Sequence, residues 1–290
     1  MFQPAAFDPR ALENLLAFWA DAGVDACIGD APVNRILAAA TPALVKRAPL
    51  AREAAPARPD GPAPASRPRA TVPVAAAPMV AGIDEAAVAQ ARAAANGAAD
   101  LGALQAAIAA FDGCALKTAG ARQAVFSRGN PEAPVMIIGE GPGGDEDAQG
   151  APFVGRAGQL LDRMLAAAGL TGRVFITNTV FWRPPGNRTP TPAEQAVCAP
   201  FVDRAISLVN PRLLLLVGGA SAKAMLKTSD GILSLRGRWF EWRSSDGALE
   251  IPTLPTLHPA FLLRQPAAKK KSWEDLLTLV ERLDRGGRPN

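Results

Sequence analysis

The chain has 290 residues, 31 Lys and Arg against 27 Asp and Glu, a formal net charge of +4, three Cys, one His and no Tyr. That length suits one or two domains with a substantial core. A single His excludes His-rich metal sites, HExxH zinc hydrolases and two-His facial triads, and three scattered Cys make no disulfide framework.

The N-terminus, MFQPAAFDPR, lacks a basic stretch followed by an apolar core, so no signal peptide is expected. Residues 10–30 place Leu12, Leu15, Leu16 and Trp19 on one helical face, and residues 1–40 are read as a short helical segment. Residues 41–80 are almost all Ala, Pro, Val and Arg. Repeated Pro opposes helix and central strand, which predicts a flexible linker. Residues 81–290 are read as the folded domain, opening with an Ala-rich helical stretch from Asp84 to Ala110 that splits near Asn96-Gly97. From Pro134 the chain changes character. VMIIG (135–139), VFITNTVF (174–181), LLLLVG (213–218) and IPTLPTL (251–257) read as buried strands. Between and after them lie helical stretches at Ala157–Ala168, Pro192–Val209, Ser221–Leu226 and Ser272–Leu283. The alternation predicts a three-layer α/β/α domain around a mostly parallel four-stranded sheet, with ligands beyond the carboxyl ends of the strands. The most apolar run, Leu213 to Gly219, is too short to span a bilayer, and a soluble cytoplasmic protein is expected. Residues 101–290 carry 22 basic and 17 acidic groups. That bias suits a polyanionic partner and equally suits a mixed solvated surface.

Three segments carry chemistry. The first, GEGPGGDEDAQGAPFVGRAGQLLDRML (139–165), follows a strand with a Gly-rich loop bearing Glu140, Asp145, Glu146 and Asp147. It matches neither phosphate-binding Gly motif, and four acids would repel phosphate. The loop suits a neutral or electron-poor ligand, or is simply a solvated acidic turn. In the second, ITNTVFWRPPGNRTPTPAEQ (176–195), the Asn178 amide could read the edge of a base or bond local backbone. Its tail is a helix start with Thr191 as N-cap and Pro192 at the first position. The third, LHPAFLLRQPAAKKK (257–271), holds the only His, His258. There Phe261, Leu262 and Leu263 beside Arg264 and Lys269–Lys271 form either an apolar wedge flanked by cations or an ordinary helix start with the leucines in the core.

Together, the order GEGPG, PFVG, LLD, then ITN and RPPGNR, then HPA and LLR resembles the family 4 uracil-DNA glycosylases over roughly residues 111–283. The resemblance implies a base-flipping enzyme acting on single- or double-stranded DNA in the nucleoid, as a monomer, with residues 1–40 a candidate protein-docking segment. It implies that Glu140 orients a water and opposes a positive sugar, and that neutral His258 stabilises the leaving uracil anion. Asn178 would read the base edge, Phe153 stack on it, Gly141 touch it through backbone, and Glu146 lie against C5 to exclude the thymine methyl. Arg183, Arg188, Leu262, Leu263, Arg264, Lys269 and Lys270 would meet DNA. The absence of Tyr and room at Gly141 leave hypoxanthine as an alternative base, and a non-catalytic nucleic-acid-binding module or a small-molecule nucleotide hydrolase as alternative classes. The family usually holds a 4Fe–4S cluster on four Cys. Here Cys114 and Cys198 stand at two of these positions, with Lys117 and Trp182 at the others. Two thiolates cannot hold such a cluster, so no cofactor is expected and Trp182 with the Lys117 stem should fill its volume.

Overall fold

The structure, a computed structural model, describes residues 83–285. The expectations for residues 1–40 and for the linker at 41–80 lie outside the described residues. The Ala-rich stretch forms α1 (Glu85–Asn96) and α2 (Leu101–Ala110), each opened by an Asp, Asp84 or Asp100, that accepts a backbone N–H. A short α3 (Ala115–Thr118) follows. The sheet then alternates with helices: β1 (Ser127–Gly129), β2 (Val135–Gly139), α4 (Gly144–Gln149), α5 (Arg156–Ala167), β3 (Val174–Asn178) and α6 (Pro192–Val209). The remaining elements are β4 (Leu213–Val217), α7 (Gly219–Leu226), α8 (Ile232–Leu235), β5 (Phe240–Arg243), β6 (Glu250–Thr256), α9 (Pro259–Arg264) and α10 (Lys269–Arg285).

The sheet has six strands in the order β1-β3-β2-β4-β6-β5, not four. Its four central strands, β3, β2, β4 and β6, are mutually parallel, and these are the four predicted from apolar runs. The two additions, β1 and β5, pair antiparallel at the edges. Strand side chains alternate between two cores. Met136, Ile138, Phe175, Leu214 and Leu216 pack with Leu104, Ile108, Phe201 and Ile206 from α2 and α6. On the other face Val135, Ile137, Ile176 and Leu215 pack with Leu161, Leu165, Leu276 and Leu279 from α5 and α10. That is the three-layer arrangement expected. Helix α6 starts as predicted: the Thr191 hydroxyl accepts from the Glu194 N–H at 3.2 Å and the Glu194 carboxylate accepts from the Thr191 N–H at 2.7 Å. Among the described residues no helix is long and apolar enough to cross a membrane.

Candidate active site

Three consequences of the fold converge. Strands β2 and β3 pair in register to their last residues, Gly139 opposite Asn178, and β6 ends two residues before His258. Glu140, Asn178 and His258 therefore stand beyond the carboxyl ends of parallel strands, where such sheets bind ligands. Gly139 permits the closest of these approaches. A Cβ there would lie 2.4 Å from Asn178 Oδ1 and 2.5 Å from Phe153 Cζ, so any larger residue would displace both.

Asn178 is 1% exposed, and its Oδ1 is a buried side-chain acceptor with no hydrogen-bond partner. Leaving such an acceptor unmade costs about 1–3 kcal/mol, so a fold that keeps one has a use for it. A ligand N–H would satisfy it. Beside it Phe153 sits at a positive φ of 56°, in the left-handed region where a bulky residue is strained. The strain places its ring 5.7 Å from the His258 ring, with 31° between the planes. Arg128 of β1 secures that turn, donating to the Pro152 carbonyl at 2.7 Å and the Phe153 carbonyl at 3.2 Å while pairing with Asp162 at 2.6 Å.

His258 is the N-cap of α9, and its Nδ1 accepts from the Ala260 N–H at 3.2 Å. The ring proton is then on Nε2, free to be donated to a ligand. Burial lowers the His258 pKa from 6.5 to about 4; the nearby positive charge of Arg264 pushes the same way and Glu146 opposes both. At neutral pH the ring is an uncharged donor.

Several expectations need correction. Glu146 is no free guard of a pocket wall: its Oε1 accepts from the Val154 and Gly155 N–H groups and its Oε2 from Gly143, each at 3.0 Å. The carboxylate clamps the Gly-rich loop to the PFVG turn. The room expected at Gly141 is also absent. A Cβ there would lie 2.8 Å from Val180 Cγ2, with Pro190 and Pro184 behind it, so glycine serves packing. Arg188 is paired with Glu194 by two hydrogen bonds, at 2.8 and 2.6 Å, and remains exposed, so part of its guanidinium is already engaged by its own chain. Arg183 donates to Asn187 Oδ1 at 2.6 Å and stays partly exposed. Leu262 is wholly buried against Leu160 and Leu257 and cannot wedge into DNA, whereas Leu263 is 37% exposed. The i, i+3 spacing from buried Pro259 turns Leu262 inward. Arg264, Lys269 and Lys270 are exposed beside it.

The four cluster positions implied by the resemblance present two thiols, an indole and an ammonium. Cys114 and Cys198 are buried, and the Cys198 thiol donates to Cys114 Sγ at 4.0 Å. That bond holds Cys114 below the usual thiol range and pushes buried Cys198 well above it. Trp182 is 1% exposed in the same apolar core, edge-on to Phe181. Lys117 Nζ is drawn to the carbonyls of Ala109 at 2.7 Å and Phe111 at 3.1 Å and to Asp112 at 2.8 Å. Among the described residues no three His, Cys, Asp or Glu side chains gather as a metal site. An indole and an ammonium cannot replace two thiolates, so these residues do not fit the cluster.

Residues 126–277 match the family model described as the Uracil DNA glycosylase superfamily. The chain is similar to three Type-4 uracil-DNA glycosylases. It is 38% identical to that of Pyrobaculum aerophilum over 160 residues, which cover 53% of this chain and 81% of the relative. It is 39% identical to that of Sulfurisphaera tokodaii over 164 residues, 54% of this chain and 74% of the relative. With that of Thermotoga maritima it shares 41% over 145 residues, 48% of this chain and 71% of the relative.

Proposed function

The chain belongs to the family 4 uracil-DNA glycosylases, and on that premise we propose that it flips uracil out of DNA and hydrolyses its N-glycosidic bond, leaving an abasic site. The observation that carries the reading is the unpartnered Asn178 Oδ1. Uracil presents an N3–H donor and an O4 acceptor, which match the oxygen and nitrogen of one amide. Cytosine presents N3 as acceptor and an amino group as donor, so with the amide oriented as it is here both contacts fail. His258 Nε2–H faces the charge that develops on O2 as uracil leaves as an anion, and a neutral donor there stabilises that charge without binding a cation in the ground state. Glu140 supplies the negative charge that opposes the oxocarbenium-like sugar and orients the water. Phe153 stacks on the flipped base.

The same reading makes the enzyme independent of an iron–sulfur cluster, supported by Trp182 and Lys117 at two of its four ligand positions. It places the protein in the cytoplasm with the nucleoid, acting as a monomer, with residues 1–40 open to a protein partner. Hypoxanthine keeps only the absence of Tyr as support, because a Cβ at Gly141 would meet Val180. The test is an end-labelled oligonucleotide with one uracil, treated with the protein and then with alkali. Strand breaks at uracil from iron-free protein are expected, and no break in single- or double-stranded substrate would overturn the function.

Two further outcomes follow from the site. Because His258 titrates near 4 rather than 6.5, single-turnover uracil release should show no inflection at pH 6.5 and lose the His258 contribution only below about pH 5. The folded value lies below the unfolded one, so this residue's contribution to stability is full above pH 6.5 and is lost as pH falls toward 4. A rate that halves near pH 6.5 would contradict a neutral His258. On duplex DNA, Leu263→Ala should slow release by about tenfold, the loss of roughly 1.4 kcal/mol of help in unstacking, and leave single strands nearly unaffected. Equal losses on both substrates would assign Leu263 to packing.

A further inference from the structure

We infer that Thr179 and Gln195 form a positioning relay for the Glu140 carboxylate, a role that rests on the glycosylase reading above. Glu140 is the first residue past β2, where sheet pairing stops, and nothing in regular structure holds it. The ladder makes one more bond, from the Thr179 N–H to the Gly139 carbonyl at 2.9 Å. The Thr179 hydroxyl then takes over, donating to the Glu140 carbonyl at 2.6 Å. That hydroxyl also accepts from Gln195 Nε2 at 3.3 Å.

The direction of the chain is fixed by chemistry. An amide nitrogen can only donate, so the single hydroxyl proton of Thr179 is left for the Glu140 carbonyl. Thr179 is 2% exposed and β-branched, with few alternative rotamers. Gln195 lies in the second turn of α6, whose start is pinned by the Thr191–Glu194 capping box. On the other flank of β2, the buried Ser221 hydroxyl donates to the Ile138 carbonyl at 2.6 Å. Two side-chain hydroxyls thus hold alternate carbonyls at the end of β2, one from the residue after β3 and one from the first turn of α7. The Thr179 bond sets the peptide plane of Glu140 itself and so the direction in which its side chain leaves the backbone. None of Thr179, Gln195 or Ser221 need touch DNA for this.

The experiment compares full-length wild type, Thr179→Val, Thr179→Ser, Gln195→Leu, Glu140→Gln and the Thr179→Val/Glu140→Gln double variant. Single-turnover uracil release at saturating enzyme, Kd for a uracil oligonucleotide and Tm are measured for each. Thr179→Val should slow release about 10–100-fold with Kd changed less than about threefold, and Gln195→Leu about 3–10-fold, since a small misplacement of a reacting group is costly while binding is not touched. Thr179→Ser, which keeps the hydroxyl, should restore most of the rate. In the Glu140→Gln background Thr179→Val should slow release little further, because there is no carboxylate left to place. A Thr179→Val enzyme at wild-type rate overturns the relay, as does a loss that is equal with and without Glu140. If Thr179→Val does not fold, Gln195→Leu at its half-buried helix position decides by the same criteria. A wild-type chain that releases no uracil would instead overturn the function on which the relay rests.

Discussion

Replacing His258 by Ala is expected to slow single-turnover uracil release about 10²–10³-fold, the cost of removing one preorganised donor from a developing anion. The substrate is expected to bind nearly as before, because the donor matters most when O2 has gained charge. A second substrate sharpens the expectation. 5-Fluorouracil is a better leaving anion and needs less help at O2, so the deficit of His258→Ala should shrink on it. The structure supplies the reason to expect a neutral donor: Nδ1 is occupied by the Ala260 N–H, and burial holds the pKa at about 4. A deficit of the same size on both bases would place His258 elsewhere in the reaction than at the leaving group.

Glu140→Gln should cost a similar factor, about 10²–10³-fold, by removing the charge that opposes the sugar cation while keeping the shape of the side chain. Its effect should not depend on the leaving base, since the carboxylate acts on the sugar and the water. Measured on uracil and 5-fluorouracil, the two variants therefore separate. Loss at His258 should track the leaving group and loss at Glu140 should not. Full activity in Glu140→Gln would remove this residue from the chemistry.

Much of this architecture was legible in the residues, for physical reasons that also explain what was not. A strand buried on both faces is a largely apolar run, and VMIIG and LLLLV are such runs while VFI opens a third; all three strands are buried along their whole length. Edge strands leave no such mark. Ser127–Gly129 is three residues long, and Phe240–Arg243 buries only Trp242, so each is a strand because a neighbour pairs with it. The site divides the same way. Asn178 and His258 stood out because each is a polar group at or just past the end of an apolar strand. What Glu146, Arg188 and Leu262 do could not be read from residue type, because their partners depend on how the loop and helix turn. Glu146 reaches backbone N–H groups eight and nine residues on, Arg188 is absorbed by the cap of α6, and Leu262 falls on the inner face of a helix only six residues long. Arg128, which holds the strained Phe153 turn, had no signal at all: it lies on an edge strand 24 residues before the carbonyl it binds.

One buried amide, Asn178, is expected to admit uracil and refuse cytosine. The direct measurement is single-turnover excision from four otherwise identical oligonucleotides carrying uracil, cytosine, thymine or hypoxanthine at one position, with wild type and Asn178→Ala side by side. Alkali-labile breaks are expected at uracil and none at cytosine, with uracil excision lost in the variant. Cytosine excision by the wild type, or uracil excision undiminished in Asn178→Ala, would contradict it.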